Sequence, residues 1–191
     1  MVARYNWIMH RAIFLDRDGV IIENRSDYVL SWSDVEFYPQ ALEALRRIHP
    51  KIKIVIVTNQ SAVGRGLITL DAAQELNQRI EREILNRGGR VDGFFMCPHA
   101  PEQTCLCRKP QPGLILQAAR ELQIDLSNSL MVGDALTDIL AGKNAGIRRT
   151  ILLRTGRGSH QAALPELDLL DDVHIYDTLL DAIQEQSGFL A

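Results

Sequence analysis

Three things are scarce in this chain of 191 residues. No apolar run approaches the ~18 residues that a membrane-spanning helix needs, so no membrane association is expected. There is no excess of positive charge. Lys and Arg number 21 against 24 Asp and Glu, a net charge of −3, which gives no electrostatic reason to expect a nucleic-acid partner. Cysteine is rare too: there are three, an odd number, all between Cys97 and Cys107. A disulfide framework would need an even set spread along the chain. The first residues, Met1 to Arg11, lack a basic start followed by an apolar stretch, so no secretory signal is expected and the cytoplasm is the expected location. Neither a repeat nor a long linker divides the sequence, so residues 1–191 are read as one domain, expected to act as a monomer.

What is present is ordinary in amount and informative in order. Hydrophobic residues make up 46% and charged residues 24%, which excludes a disordered or collagen-like chain. Short apolar runs at 12–15, 52–57, 93–96, 129–132, 150–153 and 173–176 read as strands, the second rich in β-branched residues. Helical patterns at 39–48, 69–87, 113–122, 137–145 and 178–186 lie between them. Such alternation predicts an α/β fold, a Rossmann-like parallel sheet with helices on both faces. The stretch from Asp16 to Tyr38 is too long and polar for a simple strand-to-helix turn and reads as a small flap over the site.

Ligands of such sheets bind beyond the carboxyl ends of the strands. Asp16 and Asp18 follow the first strand, Thr58 to Ser61 the second, Cys97 and His99 the third, and Asp134 with Asp138 the fourth. Asp-x-Asp-Gly is also a common turn sequence. Two carboxylates at i and i+2 repel unless a cation intervenes, and a hard divalent ion such as Mg2+ is the economical answer, with Asp134 a third oxygen ligand. Lys109, one of only four lysines, stands beside Arg108 in a stiff segment with Pro110 and Pro112, where the pair could offset carboxylates and a phosphate.

The segments Phe14-Leu15-Asp16-Arg17-Asp18-Gly19, Val57-Thr58-Asn59-Gln60-Ser61, Cys107-Arg108-Lys109-Pro110 and Val132-Gly133-Asp134 with Asp138 resemble, in order, the four signatures of the haloacid dehalogenase-like (HAD) phosphatases. Within that superfamily the pattern is most similar to the D-glycero-D-manno-heptose 1,7-bisphosphate 7-phosphatase family, with Ser61 and Arg65 favouring it over the histidinol-phosphate phosphatases. Val20 departs from the Thr those families commonly carry. The resemblance implies a HAD-like fold and a phosphorylated sugar as substrate. It makes Asp16 the nucleophile, Asp18 the general acid and base, and Thr58 and Lys109 stabilisers of the phosphoryl oxygens. It also places Mg2+ on Asp16, the Asp18 carbonyl and Asp134, with Asp138 holding Lys109 or metal-bound water. Asn24, Arg25, Asn59, Gln60, Ser61 and Arg108 are the expected substrate-binding residues. Two other readings stay open: a histidinol-phosphate phosphatase, and a catalytically silent binding module on the same fold.

Cys97, His99, Cys105 and Cys107 form a Cys3His set, a tetrahedral zinc set of the closed, structural kind. The resemblance implies zinc there as well. Such a loop would brace Arg108 and Lys109. No role is expected for His10, His49, His160 or His174; Trp7 and Trp32 read as packing residues. Gly156-Arg157-Gly158 reads as a flexible connector.

Overall fold

The computed structural model describes residues 9–190, so Trp7 lies outside the described residues. Six strands, β1 (Ala12–Leu15), β2 (Lys53–Asn59), β3 (Gly93–Cys97), β4 (Leu130–Gly133), β5 (Arg149–Leu153) and β6 (Val173–Tyr176), form one parallel sheet in the order β3-β2-β1-β4-β5-β6. The helices are α1 (Pro39–Arg47), α2 (Ser61–Gly64), α3 (Leu70–Asn86), α4 (Gly113–Leu122), α5 (Leu136–Asn144), α6 (Gly158–Gln161), α7 (Leu179–Glu185) and α8 (Ser187–Leu190). The expected strands and helices are all present, with ends shifted by a residue or two. The short α2, α6 and α8 have no expected counterpart, because four residues are too few to show a period.

Side-chain alternation along the strands builds two cores. Ile13, Leu15, Ile54, Ile56, Leu130 and Val132 face α1, α3 and α7, where Leu45, Ile80 and Leu179 meet them. Phe14, Val55, Val57 and Met131 face the other way, onto Leu114, Ile115 and Ala118 of α4 and Ala141 of α5. Both faces of β1 and β4 are therefore dry, which is why their sequences are continuously apolar. Each fully buried Ile or Leu contributes roughly 1.5–3 kcal/mol, so the central strands are rigid supports for whatever follows them.

Strand order reverses at β1, which pairs with β2 on one side and β4 on the other. A crevice forms beyond the carboxyl end at such a switch point. The Asp16–Tyr38 segment is less purely a flap than its polarity suggests. Val20, Ile21 and Ile22 are buried in the first core, while Asn24, Arg25, Ser26, Tyr28 and Val29 line the crevice. Trp32 packs there as expected, with its ring 6.2 Å from that of Phe37 and the Arg79 guanidinium 4.1 Å above it.

Candidate active site

A cleft of about 500 Å³ opens at the switch point. It is lined by Asp16, Arg17 and Asp18 from the end of β1, by Asn59, Gln60 and Ser61 from the end of β2, and by Asn24 and Arg25 from the flap. Arg108, Lys109, Asp138 and Arg157 complete it. All six expected substrate-binding residues thus share one wall or another of the same cleft. Asp134 and Thr58 are fully buried behind it.

Lys109 organises the floor. Its ammonium donates to Asp16 Oδ1 at 2.7 Å and to the Val57 carbonyl at 2.9 Å, and sits 2.6 Å from Asp138 Oδ1. Burial works against the ammonium, but Asp138 and Asp16 outweigh it and push the Lys109 pKa up to about 12, so the side chain stays charged. The Asp16 pKa also rises: burial, with Asp138 and Asp18 nearby, raises it to about 6 against the pull of Lys109. Asp138 has both oxygens engaged, since Oδ2 accepts the Ala135 N–H at 3.1 Å at the start of α5 while Oδ1 meets Lys109. It contacts the lysine, one of the two partners the resemblance implied for it.

Asp18 is gripped from the side. Arg17 Nε and Nη2 reach its two oxygens at 3.1 and 2.9 Å, and Arg17 Nη1 donates to Asn77 Oδ1 of α3 at 2.7 Å. Gln60 Nε2 donates to Asp18 Oδ2 at 3.2 Å and to Thr58 Oγ1 at 2.9 Å. The Asn59 amide is spent on the main chain of Lys109: Oδ1 accepts its N–H at 3.0 Å and Nδ2 donates to its carbonyl at 3.1 Å. Asn59 and Gln60, expected to meet substrate, thus position Lys109, Thr58 and Asp18 with these groups. Arg17 and Asn77 were missed by sequence reasoning, because nothing in a sequence shows that an Arg next to a carboxylate is buried.

Carboxylate oxygens of Asp16, Asp134 and Asp138 lie within 4.8 Å of one another. Three buried acids at that spacing fit a divalent cation, and the backbone is shaped to leave them room. A Cβ on Gly19, at φ +87°, would stand 2.2 Å from Asp134 Oδ2, and one on Gly156 would stand 2.4 Å from the same atom. Burial and the neighbouring Asp16 raise the Asp134 pKa, although Arg157 opposes them. The loop after β5 is not the flexible connector its glycines suggest. Thr155 Oγ1 donates to the Gly19 carbonyl at 2.6 Å, the Gly156 N–H to the Tyr38 hydroxyl at 3.1 Å, and the Arg157 N–H to Asp134 Oδ2 at 2.8 Å. Glycine permits these close approaches, so here it marks packing rather than freedom.

The Cys/His cluster lies beside the cleft. Cys97 Sγ is 3.5 Å from His99 Nδ1, 3.8 Å from Cys105 Sγ and 3.1 Å from Cys107 Sγ, and His99 Nδ1 is 3.3 Å from Cys107 Sγ. With Zn–S and Zn–N bonds of about 2.3 and 2.0 Å, a tetrahedral site has edges of about 3.8 and 3.5 Å, which the Cys97–Cys105 and Cys97–His99 spacings match while those to Cys107 are shorter. Burial pushes the Cys97 thiol up. Burial acts on Cys105 in the same direction, but the Arg108 and Cys107 main-chain N–H groups outweigh it and lower that thiol. The four residues could therefore hold a metal ion. Arg108 is tied to the cluster through Nη1, which donates to the His99 carbonyl at 3.2 Å.

The comparisons with known proteins converge on one group. Residues 106–182 match the family described as HAD-hyrolase-like. The D-glycero-beta-D-manno-heptose-1,7-bisphosphate 7-phosphatase of Helicobacter pylori (strain J99) is 44% identical over 148 residues, 75% of this chain and 83% of that protein. The protein of the same name from Pasteurella multocida is 41% identical over 156 residues, 78% of this chain and 84% of its own length. Among solved structures, the D,D-heptose 1,7-bisphosphate phosphatase of B. bronchiseptica, complexed with magnesium and phosphate, superposes with a TM-score of 0.84 at 32% identity, covering 93% of this chain and 98% of its own. The chain belongs to the HAD-like hydrolases, in the family of the D-glycero-beta-D-manno-heptose-1,7-bisphosphate 7-phosphatases.

Proposed function

We propose that this chain is a Mg2+-dependent phosphatase that removes the 7-phosphate of D-glycero-D-manno-heptose 1,7-bisphosphate, the β anomer of the relatives' names, in the cytoplasmic route to nucleotide-activated heptose for surface glycans such as lipopolysaccharide. The observation that carries the reading is the convergence of β1, β2 and β4 on Asp16, whose carboxylate faces Lys109 at 2.7 Å inside a cleft open to a small molecule. The chain acts as one domain.

In this reading an Asp16 oxygen attacks phosphorus while the bond from phosphorus to the sugar oxygen breaks. Asp18, on the rim, gives its proton to the departing oxygen. The aspartyl-phosphate so formed divides one difficult displacement into two. Water then attacks phosphorus, Asp18 takes its proton, the bond to Asp16 breaks, and inorganic phosphate leaves. Lys109 faces the charge that develops on the phosphoryl oxygens, and Thr58 supports Asp18 and Gln60 from below. Asp16, Asp134 and the Asp18 carbonyl would hold Mg2+, which supplies charge neutralisation and orients the phosphate. Asn24 and Arg25 on the flap, Ser61 and Arg108 surround the sugar and its second phosphate. Zn2+ on Cys97, His99, Cys105 and Cys107 would keep Arg108 in place through the His99 carbonyl.

Phosphate release from heptose 1,7-bisphosphate and from histidinol phosphate, each with Mg2+, tests the assignment. Faster turnover of the bisphosphate is expected. Turnover of histidinol phosphate alone would move the chain to the other phosphatase class, and hydrolysis of neither would favour a silent module.

A further inference from the structure

Arg157 is a charged cleft residue with no part in the chemistry above, and its contacts are unusual. Asp134 is fully buried, yet both its oxygens are taken by one residue of the β5–α6 loop. The Arg157 main-chain N–H donates to Oδ2 at 2.8 Å, its Nη2 to Oδ1 at 3.1 Å, and its Nε lies 3.4 Å from Oδ2. The two kinds of contact differ in permanence. The N–H belongs to a loop pinned by the Gly156 contact to Tyr38 and the Thr155 contact to Gly19. The guanidinium hangs on a long side chain that is 53% exposed and borders the cleft.

Charge decides what the guanidinium is for. Asp16, Asp134 and Asp138 place three carboxylates in one pocket, and Lys109 lies between Asp16 and Asp138. Among the described residues Lys109 pairs with Asp16 and Asp138, whereas Asp134 pairs with Arg157. A divalent ion among the three acids must take an oxygen that the guanidinium now covers. It also brings positive charge against a cation within hydrogen-bond distance of the same group, which repels it.

We infer that Arg157 is a positioning residue for Asp134 that works by exchange. Its main-chain N–H holds Oδ2, while its guanidinium pairs with Oδ1 and yields that oxygen to Mg2+. The inference rests on the reading of Asp134 as a Mg2+ ligand. Metal loading therefore works against an existing ion pair, and removing the guanidinium makes loading easier. Only the guanidinium side of the pair is exposed and screened by solvent, so the apparent Mg2+ affinity should change by about two- to fivefold.

Calorimetric titration of the full chain with Mg2+, without phosphate or substrate, tests this. R157Q should bind Mg2+ about two- to fivefold more tightly than the wild type, and R157K, which keeps the charge without the fork, should fall between them. If R157Q folds poorly, R157K carries the comparison by the same sign. A merely structural Arg157 predicts weaker binding in R157Q, and that result, or no change, overturns the proposal. D134N run in parallel separates the two readings. Weakened binding in D134N with no gain in R157Q removes the exchange alone. Unchanged binding in D134N removes the Mg2+ assignment of Asp134, and the exchange with it.

Discussion

The Lys109 ammonium lies 2.7 Å from the Asp16 carboxylate, and both groups are buried although 93 residues separate them in the chain. Two desolvated charges are stable only together, and here a third, Asp138, flanks the lysine. Lys109→Met would leave two buried carboxylates without their cation. The expected cost is about 3–5 kcal/mol, read from urea unfolding, together with loss of turnover. A variant as stable as the wild type would show that the trio is not what holds the floor of the cleft.

Asp16→Asn removes the proposed nucleophile while keeping its shape. Phosphate release should fall by roughly 10³-fold or more, with the melting temperature unchanged or higher. Turnover near the wild-type rate would exclude covalent chemistry at Asp16.

The same carboxyl sets a pH dependence in metal-free protein. Burial raises it from 3.8 to about 6, so the folded chain binds this proton more tightly than the unfolded chain does. Stability contributed by the protonated form is present below pH ~4 and is lost as pH rises through 6, a change of about 3 kcal/mol. Urea midpoints between pH 4 and 7 in a chelator should fall across this window, and Asp16→Asn should flatten the slope. Parallel slopes for the two proteins would mean that other groups set it.

Gly19 and Gly66 make a controlled pair. Both have positive φ, +87° and +71°, but a Cβ on Gly66 meets nothing within 4 Å while one on Gly19 would stand 2.2 Å from Asp134 Oδ2. Gly66→Ala should cost only the backbone strain, about 1–2 kcal/mol. Gly19→Ala should cost more and also weaken Mg2+ binding. Equal effects on stability and metal affinity would show that the close approach is immaterial.

Zinc removal should matter for the fold more than magnesium removal. A zinc-selective chelator, or Cys105→Ser, is expected to lower the melting temperature by on the order of 5–10 °C and to raise KM through Arg108, whereas withdrawing Mg2+ stops turnover with a smaller thermal shift. Metal analysis of protein purified without chelators should find one zinc per chain; none would remove the brace.

The sequence alone determined the parallel sheet, because continuous apolar strands and amphipathic helices declare their faces locally. It also determined the candidate chemistry, because Asp16 and Asp134 follow a strand, Thr58 lies near the end of one, and Lys109 leads into a stiff Pro110/Pro112 turn. The order of strands was decided only in three dimensions: β1 lies between β2 and β4, and that placement brings Asp134 beside Asp16. The duties of Arg17, Asn59 and Arg157 were likewise hidden. Gly156-Arg157-Gly158 has the composition of a loose connector, and burial of its partner Asp134 turns it into a clamp. Spacing along a chain reports which face a side chain takes, whereas the partner of a buried charge depends on which distant segments pack against it, and that is settled by the whole core at once.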